Sequence, residues 1–256
     1  MFTNDGILMT AVRQSAADTG ADPSDFLKSE NVIVRSDPRP GAKVYFSEPP
    51  ACNLVSYGSN IVAAVRDEYR DIVSEYIGRY KWYHCFETPN MHRLDDAMRE
   101  HGQRVCFMAE YFLPDVGKLR RLGCGYELRL LEPPEFAGLY ADEWSDALTP
   151  LHKELDVLAV GAYDGDRLIG LAGCSADCGE MRQIGVDVLP GHRRQGVASA
   201  LTSNLAVEIL ERGKVPFYCC AWSNIPSARN ALRSGFCPAW AEMTVKDASF
   251  VEKMNA

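Results

Sequence analysis

The residues best suited to chemistry lie in one run, Val186-Asp187-Val188-Leu189-Pro190-Gly191-His192-Arg193-Arg194-Gln195-Gly196-Val197-Ala198-Ser199-Ala200-Leu201. It reads as a strand, a short basic loop and the start of a helix, with Gly196 where the helix should begin. The first N–H groups of a helix lack intrahelical partners and carry partial positive charge. Glycine and small residues at that point let a phosphate approach the backbone closely. The stretch therefore reads as a pyrophosphate site. Gln195 to Ser199 offer backbone donors, and Arg193 and Arg194 add charge-assisted bonds. Taken alone, the same residues also fit a glycine helix start flanked by two solvated arginines.

The arginine pair stands out because the chain is acidic, with a formal net charge of −8. Coating nucleic acid or an anionic membrane needs clustered Lys and Arg, so neither partner is expected. A local basic spot suits a small anionic ligand instead. At 256 residues, 46% hydrophobic and 24% charged, the chain has the make-up of a soluble globular protein with room for two modest domains or one large one. Its nine cysteines are odd in number, irregularly spaced and free of any CxxC, which fits a reducing cytoplasm better than a disulfide framework. Cys174 and Cys178, with Asp177 and Glu180 nearby, lack the second pair or histidine a metal site would need, so no metal is expected. No signal peptide and no run of about 20 apolar residues is seen, and a cytoplasmic location is the expectation.

The elements that must position the loop can be read from periodicity and turn residues. In the first half, helices are expected from near Gly6, after Pro23, over Asp67 to Tyr80 (Tyr69, Ile72, Val73, Tyr76 and Ile77 on one face) and after Pro89. Strands are expected at Asn31–Val34, at Trp82–Phe86 and at Val105–Phe112. Leu54–Val65 reads as one bulged strand or a hairpin turning at Gly58. This alternation predicts an α/β or α+β layer arrangement. The glycine-flanked basic turn Lys118–Gly125 reads as a boundary between domains of residues 1–122 and 123–256. Beyond it come a strand at Tyr126–Leu131, a helix from Pro133, a second helical segment at Trp144–Leu151, and strands at Leu155–Tyr163 and Leu168–Cys174 joined by the turn Asp164–Arg167. Then follow a strand Arg182–Val188, a helix Gly196–Glu211, a strand Val215–Trp222, a helix capped by Asn224 and stopped at Gly235, and a last strand Cys237–Val245.

This order resembles the GNAT acyltransferase superfamily. Arg193-Arg194-Gln195-Gly196-Val197-Ala198 fits that family's Gln/Arg-x-x-Gly-x-Gly/Ala loop, and Asn224-x-x-Ser227 with Gly235-Phe236 beyond it matches the later part. The resemblance covers roughly residues 124–247, and the whole layout is loosely similar to bacterial two-part GNAT proteins. It implies a C-terminal GNAT fold, a mixed and mainly antiparallel splayed sheet flanked by helices, behind an N-terminal α/β domain that helps shape the acceptor site. It implies acetyl-CoA as cosubstrate, a small-molecule primary amine as acceptor, and no metal. The pyrophosphate would sit on Arg193, Arg194, Gln195, Gly196, Val197, Ala198 and Ser199. The pantetheine arm would lie between the strands ending at Val188 and Trp222, with Val186 and Val188 as backbone partners and the Val188 N–H polarising the thioester carbonyl. Asn224 and Ser227 would line the same arm.

Two departures bear on catalysis. Many relatives carry a Glu on the strand before the loop, and the position aligned to it here is Arg182. Many carry a Tyr in the last helix, and that position here is Ala231. The nearest carboxylates to act as base are Glu180 and Asp187, although Asp187 could equally face polar structure on the far side of its strand. Tyr57, Glu110 and Tyr218 are further sources of an acid or base, and positioning alone is the remaining option. A non-catalytic coenzyme A-binding sensor is thus the alternative to an N-acetyltransferase. A protein amine as acceptor and a homodimer stay open.

Overall fold

In the computed structural model, which describes residues 2–46 and 48–256, the elements run in chain order as follows. They are α1 (Asn4–Thr19), β1 (Val32–Arg35), β2 (Cys52–Ser56), β3 (Val62–Val65), α2 (Arg70–Arg79), α3 (Thr88–Arg99), β4 (Gln103–Pro114), β5 (Glu127–Leu131), α4 (Pro133–Phe136), β6 (Asp156–Asp164), β7 (Arg167–Ser175), β8 (Met181–Val188), α5 (Val197–Glu211), β9 (Val215–Ala221), α6 (Ile225–Arg233), β10 (Phe236–Asp247) and α7 (Ala248–Met254). The architecture is α/β, with mixed sheet flanked by helices.

The chain forms two compact units that interleave in sequence, one of Met1–Thr10 and Phe112–Pro238, the other of Ala11–Tyr111 and Ala239–Ala256. The expected boundary at 122 falls inside the first unit. The basic turn there is bound to α5 and is no linker. Arg121 pairs with Glu208 and Glu211, the Leu122 N–H donates to Ser203 Oγ, and Asn204 Nδ2 donates to the Leu122 carbonyl.

In the unit of residues 11–111 and 239–256 the strand order is β1-β3-β2-β10-β4. β1 runs parallel to β3, while β2 is antiparallel to both β3 and β10. Leu54–Val65 is thus a hairpin, not one bulged strand. Val73, Tyr76 and Ile77 of α2 and Leu94 and Met98 of α3 pack on Leu54, Ala63, Val65, Met243 and Val245. The expected strand Trp82–Phe86 is a 3-10 helix. Its carbonyls are used locally: Tyr76 Oη donates to the Cys85 carbonyl (2.6 Å) and Asn90 Nδ2 to that of His84 (2.8 Å). An apolar aromatic run wedged between two helices satisfies its backbone without a sheet.

In the other unit the order is β4-β9-β8-β7-β6-β5. Neighbours from β5 to β8 are antiparallel, and β9 joins β8 in parallel. Alternation divides the strands between two cores. Val160, Ala162, Ala172 and Ile184 face α5, whose Val197, Leu201, Leu205 and Ile209 form its buried stripe, and Ile169 joins them at a register shift in the β6–β7 pairing. Ala159 and Leu171 face the other way, against Phe136, Trp144, Ala147 and Leu148.

That second layer departs from expectation. Trp144–Leu151 is no helix beyond the 3-10 turn Asp142–Trp144 and one further turn closed by Leu148 N–H on the Trp144 carbonyl. The backbone N–H groups of Asp146 and Ala147 are instead given to Asp187 Oδ2, each at 2.9 Å. The segment also lies directly on the sheet. A Cβ at Gly185 would stand 1.7 Å from the Asp146 carbonyl oxygen, and one at its cross-strand partner Gly173 would stand 2.1 Å from that of Ala147. Two facing glycines and a carboxylate two residues on thus hold residues 146–147 against β7 and β8. Gly185→Ala should cost about 3 kcal/mol of stability, because the contact is backbone and cannot rotate away. Gly138→Ala, where a Cβ meets nothing within 4 Å, should stay within about 0.5 kcal/mol. Equal midpoints in urea for the two variants would refute the close approach.

Candidate functional site

Pairing between β8 and β9 runs from Met181↔Val215 to Ile184↔Tyr218 and stops there, although both strands continue. Beyond that point the strands part. The Leu189 N–H donates to the Ile169 carbonyl of β7 (2.9 Å), so the alternation of an antiparallel ladder turns the polar groups of Val186 and Val188 toward the edge that β9 has left. A cleft of about 910 Å³ opens there. Its lining, all from residues 146–233, includes Val186, Asp187, Val188, Arg193, Arg194, Gly196, Val197, Ala198, Ser199, Asn224 and Ser227 from the expected set.

The loop at the mouth of the cleft is held from behind. Gln195 Nε2 donates to the Gly191 carbonyl (3.2 Å), which leaves its Oε1 to accept from Tyr126 Oη (2.9 Å). With the phenol proton spent, His192 Nδ1, 3.0 Å from the same phenol oxygen, is the donor of that pair. Gln195 therefore braces the loop and does not line the cleft. Arg194, at φ 62°, is the one non-glycine residue in the left-handed region among the described residues, and Gly196 follows at φ 80°. This backbone delivers Val197, Ala198 and Ser199 as the first turn of α5. The Ala200 N–H, on the Gly196 carbonyl at 3.0 Å, is the first bonded within the helix. A Cβ on Gly196 would meet nothing within 4 Å, so the space before those N–H groups is open. The expected cradle for a pyrophosphate fits these residues.

Other expected residues have local work. Arg193 Nε donates to the Val188 carbonyl (2.8 Å), tying loop to strand end. Asn224 caps α6 by accepting from the Ser227 N–H (3.2 Å), and Ser227 Oγ lies 2.7 Å from Tyr218 Oη. Tyr218 is buried, and burial raises its phenol above its ordinary value, partly opposed by that hydrogen bond. Asp187 is half-buried on the face away from α5. Burial raises its carboxyl above the usual range, against the pull of the Ala147 and Asp146 N–H groups, and the neighbouring Asp146 charge raises it further.

Glu180 is not brought to the cleft. It is exposed at the opposite end of β8, 3.2 Å from Lys214 Nζ. Arg182 closes the turn before β8 by donating to the carbonyls of Cys178, Gly179 and Met181. Ala231 is fully buried in the core. Tyr57 is half-buried in its own unit with its hydroxyl 2.9 Å from Ser15 Oγ, and Glu110 is half-buried there with its carboxyl raised by burial.

Sequence reasoning missed Asp146, His192, Arg229, Asn230 and Arg233, all in the lining. The arginines carried a signal: they recur four apart on the helix that Asn224 caps. Asp146 carried none, because a loop's contact with a strand leaves no periodic trace. The lining holds Arg193, Arg194, Arg229 and Arg233 as well as Asp146 and Asp187, so it carries charge of both signs, and the Arg193 charge reaches Asp187 and pulls its carboxyl down.

Residues 125–236 match the model of the acetyltransferase (GNAT) family. No curated protein sequence matches the chain. Among solved structures, a GCN5-related N-acetyltransferase-like protein from Streptococcus suis is 19% identical with a TM-score of 0.47, over 62% of this chain and 69% of the other. A GCN5-related N-acetyltransferase from Kribbella flavida is 18% identical with a TM-score of 0.48, over 62% and 64%. An aminoglycoside N-acetyltransferase, AAC(6')-Iy, in complex with CoA is 20% identical with a TM-score of 0.36, over 47% and 93%. With every one of these scores below 0.5, the assignment rests on the family match. Residues 125–236, which contain the parted strands and all the cleft's backbone donors, are a domain of the acetyltransferase (GNAT) family.

Proposed function

We propose that this protein transfers an acetyl group from acetyl-CoA to a primary amine of a small molecule. One observation carries the reading: β8 and β9 part beside an open, left-handed Gly196 turn, within a domain of a family whose donor is acetyl-CoA. The Val197–Ser199 N–H groups and Arg194 hold the pyrophosphate. The edge of Val186 and Val188 takes the amides of the pantetheine arm as an added strand, and the Val188 N–H polarises the thioester carbonyl.

Two carboxylates in the lining support an amine acceptor. An alkylamine arrives as a cation, and Asp146 and Asp187 are the groups of opposite charge that draw it in. It must lose a proton before it attacks. Asp187, its carboxyl raised by burial, is the base, directly or through water. The C–N bond then forms as the C–S bond breaks. The Tyr218 hydroxyl, kept protonated by burial, gives its proton to the departing thiolate. Glu180 takes no part.

Asp187 also binds two backbone N–H groups, and the two roles separate by substitution. Asn retains an oxygen to accept both bonds but has no basicity. Asp187→Asn should lower kcat/KM about 100-fold with little change in melting temperature, whereas Asp187→Ala should lower both. Because the base acts deprotonated, the acid limb of the wild-type pH profile should lie above the ordinary aspartate range and vanish in Asp187→Asn. An unchanged limb would remove Asp187 from the mechanism.

Gly196→Trp should abolish acetyl-CoA binding, since a bulky side chain fills the space before the helix start and strains a left-handed backbone. Unchanged affinity by calorimetry would overturn the pyrophosphate placement. The broader test is acetyl-CoA turnover against a panel of amines, read by release of free thiol. A second reading, a coenzyme A sensor without catalysis, draws on Arg182 and the buried Ala231 at the positions usual for the base and acid. Binding without thiol release on any amine would favour it.

A further inference from the structure

Most arginines of this chain have partners. Arg99, Arg104, Arg121, Arg129 and Arg212 lie on carboxylates, and Arg66, Arg70 and Arg182 on backbone carbonyls. Arg229 and Arg233, like Arg194, are exposed, line the cleft and have no hydrogen bond or ion pair among the described residues. They stand four apart on α6 and so share one face. Like charges at that spacing repel. The helix dipole favours Arg233 in the last turn but not Arg229, which lies mid-helix. Nothing in the protein itself accounts for the pair.

Their place relative to the start of α5 is fixed. Ser199 Oγ donates to Asn230 Oδ1 (3.1 Å), and Asn230 Nδ2 donates to Thr202 Oγ1 (3.0 Å). The helix that carries both arginines is thus tied to the helix start that offers the pyrophosphate donors. Two forks one turn apart suit the three oxygens and nearly two negative charges of a phosphomonoester. Coenzyme A carries one such group, on the 3′ oxygen of its ribose, apart from the pyrophosphate.

The geometry points to Arg229 and Arg233 as a subsite for the 3′-phosphomonoester of the donor nucleotide, so that this protein selects coenzyme A over its 3′-dephospho form. The assignment rests on the acetyl-CoA reading of the cleft. It is tested by calorimetric titration of coenzyme A and 3′-dephospho-coenzyme A, with no acceptor present, into the wild type, R229A/R233A and R229K/R233K at about 0.1 M salt. Leaving the acceptor out ensures that a phosphorylated acceptor cannot supply the signal. The wild type should bind coenzyme A about tenfold or more tightly than the dephospho form. R229A/R233A should bind both forms alike, at the wild type's dephospho level, with an unchanged melting temperature because both side chains are exposed. R229K/R233K should recover part of the preference. A preference that survives in R229A/R233A, or a wild type that binds both forms equally, overturns the subsite while leaving the pyrophosphate cradle standing. A wild type that binds neither form overturns the cradle, and the subsite with it.

Discussion

Backbone polar groups that leave a sheet must find partners elsewhere, and much of this domain is arranged around one place where they do so. β8 and β9 are bonded as far as Ile184 and Tyr218 and then separate. Unpaired N–H and C=O groups on an interior edge are costly unless water or a ligand reaches them. The edge is kept open by features on both sides of it. Arg193 holds the Val188 carbonyl, the Gln195–Tyr126–His192 set braces the loop that follows, and the Ser227–Tyr218 contact fixes the other strand against α6. Pre-organised backbone of this kind binds a strand-like ligand without having to be ordered first.

The face opposite α5 is constrained more tightly. Gly173, Gly185 and Asp187 admit and hold a loop that would otherwise have no reason to lie on the sheet. Their spacing along β8 places the carboxylate at the strand's parting end. The same side chain therefore serves packing and, in the proposed reaction, would also take the proton. Its clamped position leaves it little freedom to adjust, so in that reaction the acceptor would have to come to it.

The chemistry-bearing loop was legible because its meaning is local. A positive-φ glycine, small residues and a helix start all follow from adjacent residues, and α5 and α6 follow from periodicity. The antiparallel run from β6 to β8 was equally plain in its apolar runs and in the turns at Asp164–Arg167 and Asp177–Glu180. What escaped was decided by partners distant in sequence. Trp82–Phe86 has strand-like residues, but two flanking helices take its carbonyls. Trp144–Leu151 has helix-like spacing, but its N–H groups are taken by Asp187, some forty residues on. The basic turn at Arg121 looks like a linker until Glu208 and Asn204 are seen to hold it.

The route of β10 bears on how the chain comes off the ribosome. Met243 and Val245 are fully buried members of the core that residues 51–98 otherwise build, and β10 lies between β2 and β4 in strand order. Synthesis proceeds from the N-terminus, so those earlier residues emerge with the slot for β10 unfilled. Residues 112–238 must follow before it can be closed. The flanks of β2 and β4 would meanwhile be bare strand edges, which is the kind of surface that recruits other chains. The unit most of whose residues are made before residue 112 is therefore the one that completes its core last, and its strand edges stay bare the longest.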